Sequence, residues 1–136
     1  MKITLTALTV AATLFAGSAS AFNPDDPQKL KYTNKCKSCD LSGANLAGTD
    51  LALADLTGAS LDSAFLLEVN LSGANLTGAS LWLANLTDAN LIAANLKDVS
   101  LYKADLTGAD LGSAIVMDII LCNTTMPDGS VNDSGC

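Results

Sequence analysis

The chain contains no histidine and no arginine among its 136 residues, and its seven basic groups are all lysines. Without histidine it lacks the usual general base near neutral pH, the common proton shuttle and the commonest metal ligand. Without arginine, and with a formal net charge of −7, it lacks the basic surface that direct nucleic-acid binding requires. Aromatics are scarce too, at 4% against 49% hydrophobic residues in all, so the apolar content is mostly Leu and Ala. No G-x-S-x-G elbow, P-loop or dinucleotide fingerprint is present. These absences predict a protein that is not an enzyme and holds neither cofactor nor metal. At this length a single domain is expected.

Residues 1–21 read as a secretory signal peptide. Lys2 supplies the positive start, Ile3 to Phe15 are mostly apolar, and Ala19-Ser20-Ala21 forms an A-x-A cleavage site. The apolar run is shorter than the roughly 20 residues a membrane span needs. Cleavage after Ala21 leaves 136 − 21 = 115 residues with a side-chain charge of 6 − 14 = −8. The expected location is outside the cytoplasm, in a periplasm or a thylakoid lumen, with no membrane attachment after cleavage.

What the sequence has in abundance is one period. Leu recurs every five residues from Leu41 to Leu111, and a small residue lies two positions before each following slot. That small residue is Ala except at Thr49, Val69 and Val99. Asn, Asp or Ser usually precedes the Leu, as at Asn45, Asp50, Asp55 and Ser60. Five residues on a helix advance about 140° net, so the leucines would spiral around it. On a flat strand an odd spacing would alternate them between faces. The leucines are buried together only if the chain turns once every five residues in a constant sense. The outward Asn, Asp, Ser and Gly suit such frequent turns.

Units such as Ala44-Asn45-Leu46-Ala47-Gly48 and Ala74-Asn75-Leu76-Thr77-Gly78 resemble the pentapeptide-repeat family over about residues 39–122. The flanks around Cys36-Lys37-Ser38-Cys39 and Cys122-Asn123-Thr124 resemble the ends of exported members. The resemblance implies an all-β solenoid, a right-handed quadrilateral β-helix with four pentapeptides per square coil. Laid on the sequence, it gives about four coils over residues 41–121, an N-terminal cap over 22–40 with room for one short helix, and a C-terminal cap over 122–136. Ile119 takes the place of an inward Ala, which should end the regular coil or pack against the cap. Residues 20 apart would stack at about 4.8 Å, making a rod roughly 20 Å long. That length separates Cys36 and Cys39 from Cys122 and Cys136. Since disulfide Cα atoms lie within about 7 Å, the implied pairs are Cys36–Cys39 and Cys122–Cys136. A redox reading of the C-x-x-C pair wants a thioredoxin-like βαβ setting, which is not visible, although Lys35 and Lys37 would favour a thiolate.

The outward positions carry one irregularity. Trp82 and Tyr102 are 20 apart and both directly follow an inward Leu, so they should stack on one face beside Leu83 and Lys103. Phe65, Leu67 and Ile92 also occupy outward slots. These residues form the candidate partner face, against the plainer reading that cross-coil aromatic stacking only stabilises the sheet. The apolar run Ile115, Val116, Met117, Ile119, Ile120 and Leu121 is a second candidate, expected to be covered by the C-terminal cap or else to serve as a dimer end. Carboxylates near one another, such as Asp105 with Asp110 and Asp50 with Asp55, read as solvated turn residues. The sequence thus predicts a non-enzymatic exported solenoid that binds an unidentified protein or scaffolds a complex, as a monomer or an end-to-end dimer. The resemblance brings an alternative, since some members mimic an acidic duplex and bind DNA gyrase. The thiol–disulfide reading of Cys36 and Cys39 is a third.

Overall fold

The computed structural model describes residues 23–136. The expected signal peptide and its cleavage site lie outside the described residues. One helix, α1 (Asp26–Thr33), precedes the repeats, and one two-stranded antiparallel ladder closes them, β1 (Thr124–Thr125) with β2 (Val131–Asn132). Between them every fifth residue forms a parallel bridge to the residue 20 further on, from Lys35↔Asp55 to Asp105↔Thr125. The bridging therefore begins before residue 41 and ends beyond residue 121. A coil consumes 20 residues, or four pentapeptides.

The pentapeptide explains its own geometry. After each Leu the chain turns, and the N–H of the following small residue donates to the Leu carbonyl, as from Ala74 to Leu71 at 3.0 Å. The second central residue of each turn has positive φ while the first does not, the signature of a type II turn. Gly occupies that position at residues 43, 48, 58, 73, 78 and 108, and non-glycine residues such as Leu53, Ala93 and Lys103 hold φ of 56–60° there. Left-handed backbone at a bulky residue is normally a local outlier. Here it recurs along the whole rod, so it belongs to the fold and marks no site. The Asn or Asp before each Leu serves the turn that follows. Asn75 Oδ1, for example, accepts the N–H of Thr77 at 3.1 Å and its hydroxyl at 2.6 Å. This Asx turn satisfies an N–H that the coil contacts leave free.

Inside, leucines and small residues alternate in columns, and Leu41 and every fifth residue from Leu56 to Leu106, all inward leucines, are 1% exposed or less. Complete burial of each such side chain stabilises by about 2 kcal/mol or more. Cys36 and Cys39 sit five residues before Leu41 and Ala44, in the corresponding inward slots, and are bonded to each other with Cα atoms 5.2 Å apart. Cys122 and Cys136 are bonded with Cα atoms 4.8 Å apart.

The two ends are finished differently. At the N-terminal end Leu30 of α1 is 1% exposed and covers the inner leucines. Asp26 accepts the N–H of Asp40 at 2.8 Å, and the Asn34 side chain donates to the carbonyl of Ala52 at 2.8 Å, so both ends of α1 are tied to the first coil. At the C-terminal end the hairpin through Met126 and Gly129 folds back on β1. The turn bond repeats from Cys39–Cys36 through Ala114–Leu111 and, among the described residues, is absent at Ile119. Leu111, Ala114, Ile119 and Leu121 are only partly buried. The larger Ile119 thus coincides with the end of the regular turn and packs against the last of the core.

Candidate functional site

The side of the coil that carries Ser60, Ser80 and Ser100 departs from the Asx pattern. Among the described residues no serine at those positions accepts the N–H two residues on, and at Trp82 a neighbour takes over. Asp62 Oδ1 accepts the N–H of Trp82, one coil away, at 3.0 Å, and also accepts the hydroxyl of Ser80. The backbone beneath Trp82 is therefore anchored by an acid from the adjoining coil. The Trp82 and Tyr102 rings lie with centroids 5.8 Å apart and planes tilted at 50°. Lys103 Nζ stands 5.3 Å from the Tyr102 centroid, within cation–π reach. Trp82 remains 46% exposed and Leu83 48%. An open depression lined by Ser80, Trp82, Ser100, Tyr102 and Ile120 runs across this side.

Trp82, Leu83, Tyr102 and Lys103 are thus brought together. Phe65 and Leu67 are not part of the group. Phe65 bridges Asn45 and Asn85, which places it on the next side of the coil. Ile92 stands on a further side, beside Gly112, whose added Cβ would come within 3.7 Å of it. All three are exposed. Asp62 is the residue of this face that sequence reading passes over. Its signal was available, as an Asp one coil before Trp82, which follows Ser80 instead of an Asn or Asp at the Asx position.

Chemistry at the cysteines is constrained. Asp26, Cys36 and Cys39 bring three ligand atoms within 4.8 Å of one another. The two sulfurs are bonded to each other, which leaves no thiolate for a metal or for exchange while the bridge is closed. Asp55 and Asp128 have carboxyls held below the usual range, each first by the hydroxyl two residues on, Thr57 and Ser130, and then by the N–H of the same residue. Lys37 and Lys35 add a smaller pull on Asp55. These are turn contacts and create no reactive acid. No helix among the described residues is long and apolar enough to cross a membrane.

Compared with known protein families, the chain matches the pentapeptide repeats in eight copies, over residues 39–78 and 84–121. The chain belongs to the pentapeptide-repeat family. The right-handed quadrilateral β-helix is the fold of that family, and the bridging at 20 residues is its square coil. Such proteins are in general structural or binding modules. Among solved structures the chain is similar to the pentapeptide repeat protein Rfr23 from the cyanobacterium Cyanothece 51142. They share 29% identity over 70% of this chain and 92% of that one, with a TM-score of 0.47. A pentapeptide repeat protein from the Arabidopsis thaliana thylakoid lumen is 26% identical over 74% of this chain and 70% of its own, with a TM-score of 0.36. The plasmid-mediated fluoroquinolone resistance protein QnrB1 is 21% identical over 68% of this chain and 60% of its own, with a TM-score of 0.39. No curated protein sequence matches.

Proposed function

We propose that this pentapeptide-repeat protein is a non-enzymatic exported rod of about four coils that binds a partner protein through the side carrying Trp82 and Tyr102. The observation that carries the reading is the aromatic pair itself. In a chain with 4% aromatics, Trp82 and Tyr102 stand together on one side, Trp82 is 46% exposed, and an acid from the neighbouring coil anchors the backbone beneath it. Rigid aromatics on a flat support supply contact area at little entropic cost, which is why they dominate interface hot spots. Leu83 extends the apolar surface and Lys103 gives it a charged rim. Export supports the reading through the two closed disulfides and the signal-like residues 1–21. Removal of those 21 residues leaves α1 ahead of the first bridged pentapeptide, and the hairpin at the other end.

The test is capture from the protein's own periplasmic or lumenal extract, beside the double variant Trp82→Ser/Tyr102→Ser. A partner held by the wild type and lost by a folded, oxidised double variant is expected. Identical captures by the two proteins would reduce the pair to a structural stack.

The acidic-duplex alternative has the charge of −7 in its favour. Unchanged supercoiling by gyrase in excess protein would dismiss it.

A further inference from the structure

The C-terminal end of the rod is unfinished. The hairpin covers β1, while the N–H groups of Leu111, Ser113, Val116 and Asp118 form no hydrogen bond among the described residues. In every earlier pentapeptide from Leu41 onward the corresponding groups donate to the next coil. Behind this edge lies an apolar cavity of about 260 Å³, lined by Leu101, Leu106, Leu111, Val116, Ile119 and Met126 among others. Ile115, Val116, Met117 and Ile120 are exposed beside it, so the C-terminal cap does not cover them as expected. An open, apolar sheet edge of this kind is a template for association.

Charge chooses the occupant. No cation follows Lys103, and the last part of the chain carries Asp105, Asp110, Asp118, Asp128 and Asp133. The opposite end carries Lys29, Lys31, Lys35 and Lys37 within nine residues, against Asp25, Asp26 and Asp40. Asp26 is engaged with the N–H of Asp40. Tyr32, on α1 between these lysines, is 79% exposed, the highest value of any large apolar residue described. Two C-terminal ends facing each other would set Asp110 and Asp118 against their own copies. An N-terminal end facing a C-terminal end sets lysines against aspartates and an amphipathic ring against an apolar cavity.

We propose that the open C-terminal end docks the N-terminal end of a second copy of this chain, head to tail. Tyr32 enters the cavity edged by Val116 and Ile119, and Lys29 and Lys31 face Asp110 and Asp118. Such a contact uses different surfaces on the two copies, so it repeats along an open chain of rods instead of closing as a dimer. It draws on the ends and leaves the side carrying Trp82 free.

The test is sedimentation of the oxidised protein over a concentration series, with two single-end variants. Tyr32→Ser/Lys31→Glu alters only exposed residues of the head, and Met117→Asp/Val116→Asp only exposed residues of the tail. The wild type should grow beyond a dimer as concentration rises, and growth should weaken with added salt because the facing charges are exposed. Each variant alone should remain monomeric, with dissociation constants raised at least about tenfold, equivalent to about 1.4 kcal/mol. Mixed together they should form a one-to-one dimer that grows no further, since each supplies one intact end. A head variant that still dimerises alone would overturn the proposal in favour of tail-to-tail pairing. A wild type that remains monomeric throughout would overturn it outright, and unchanged far-ultraviolet dichroism of both variants rules out misfolding as the cause.

Discussion

The N-terminal end is plugged by a helix, whereas the C-terminal end is trimmed by a hairpin. At the first, Leu30 is driven fully into the core and side chains at both ends of α1 bond the neighbouring coil. At the second, the last core residues remain partly open. In a solenoid each coil contacts only its neighbours, so stability is close to a sum of nearest-neighbour terms and the ends decide where unfolding begins. The comparison teaches that this rod should fray from its C-terminal end.

The largest test exchanges a leucine at each end. Leu30→Ala should cost about 2–5 kcal/mol, since it removes a buried side chain and uncovers the core beneath it. Leu111→Ala should cost about 1 kcal/mol, because the lost side chain is already partly exposed. Urea unfolding of the two variants measures both values. Equal losses would mean that the C-terminal end is as well covered as the other.

The disulfides sharpen the same contrast. Cys122 and Cys136 are separated by 14 residues, for which the chain-entropy model gives about 3 kcal/mol. Cys36 and Cys39 are separated by three, for which it gives about 2 kcal/mol. Replacing the C-terminal pair with serine should first raise amide exchange in the hairpin and at Gly135, whose N–H donates to the Leu121 carbonyl. If exchange at Asp40 and Leu41 rises equally, the rod does not fray from one end.

The coil was legible because a five-residue period admits few solutions. An inward Leu and an inward small residue require one turn per unit, and the Asn or Asp before each Leu has a local bonding reason. The first pentapeptide was less legible. Cysteines stand where Leu and Ala stand elsewhere, so the leucine period starts at Leu41 although positions 36 and 39 already occupy the inward slots. The candidate face was half legible. Columns of 20 predict that Trp82 meets Tyr102, but grouping Phe65 and Leu67 with them requires knowing which side of the coil each occupies. The role of Asp62 depends on a bond between coils that no single unit reveals. A capping helix near the N-terminal end was legible, but the role of Leu30 was not, because it lies outside the repeat and nothing in its local pattern says what it covers.

Backbone strain gives a smaller effect. Gly48 has φ of +65° and nothing within 4 Å of an added Cβ, so Gly48→Ala should cost about 1 kcal/mol from left-handed backbone alone. Gly73→Ala should cost more, because the new Cβ would lie 2.7 Å from Leu53 Cδ2. Pairing it with Leu53→Gly, which removes that side chain, should bring the Gly73→Ala cost back to the Gly48→Ala value. Thermal unfolding of the single and double variants compares the two. A Gly48→Ala protein as stable as wild type would show that the turns carry no strain.

The smallest expected effect is on proton binding, and it again distinguishes the ends. Asp55 accepts from the Thr57 hydroxyl and N–H at 2.7 and 3.1 Å, and Asp128 from the Ser130 hydroxyl and N–H at 2.6 and 2.9 Å. Both carboxyls are held below their usual range, so each binds protons more weakly in the folded chain than in the unfolded one. Each contribution is therefore fully present above the unfolded value of about 3.9. It fades as pH falls through the lower folded value. Between about pH 5 and 7 neither should make stability depend on pH. The lysines separate the two groups. Lys37 and Lys35 assist Asp55, whereas Asp128 has hydrogen bonds alone. Carboxyl carbon titrations in low salt and in about 0.5 M salt should move the Asp55 value upward and leave Asp128 in place, since salt screens exposed charges and not local hydrogen bonds. Equal downward movement of both would mean that the net negative field of the rod, which raises carboxyl values until salt screens it, governs these groups and not the lysines near the N-terminal end.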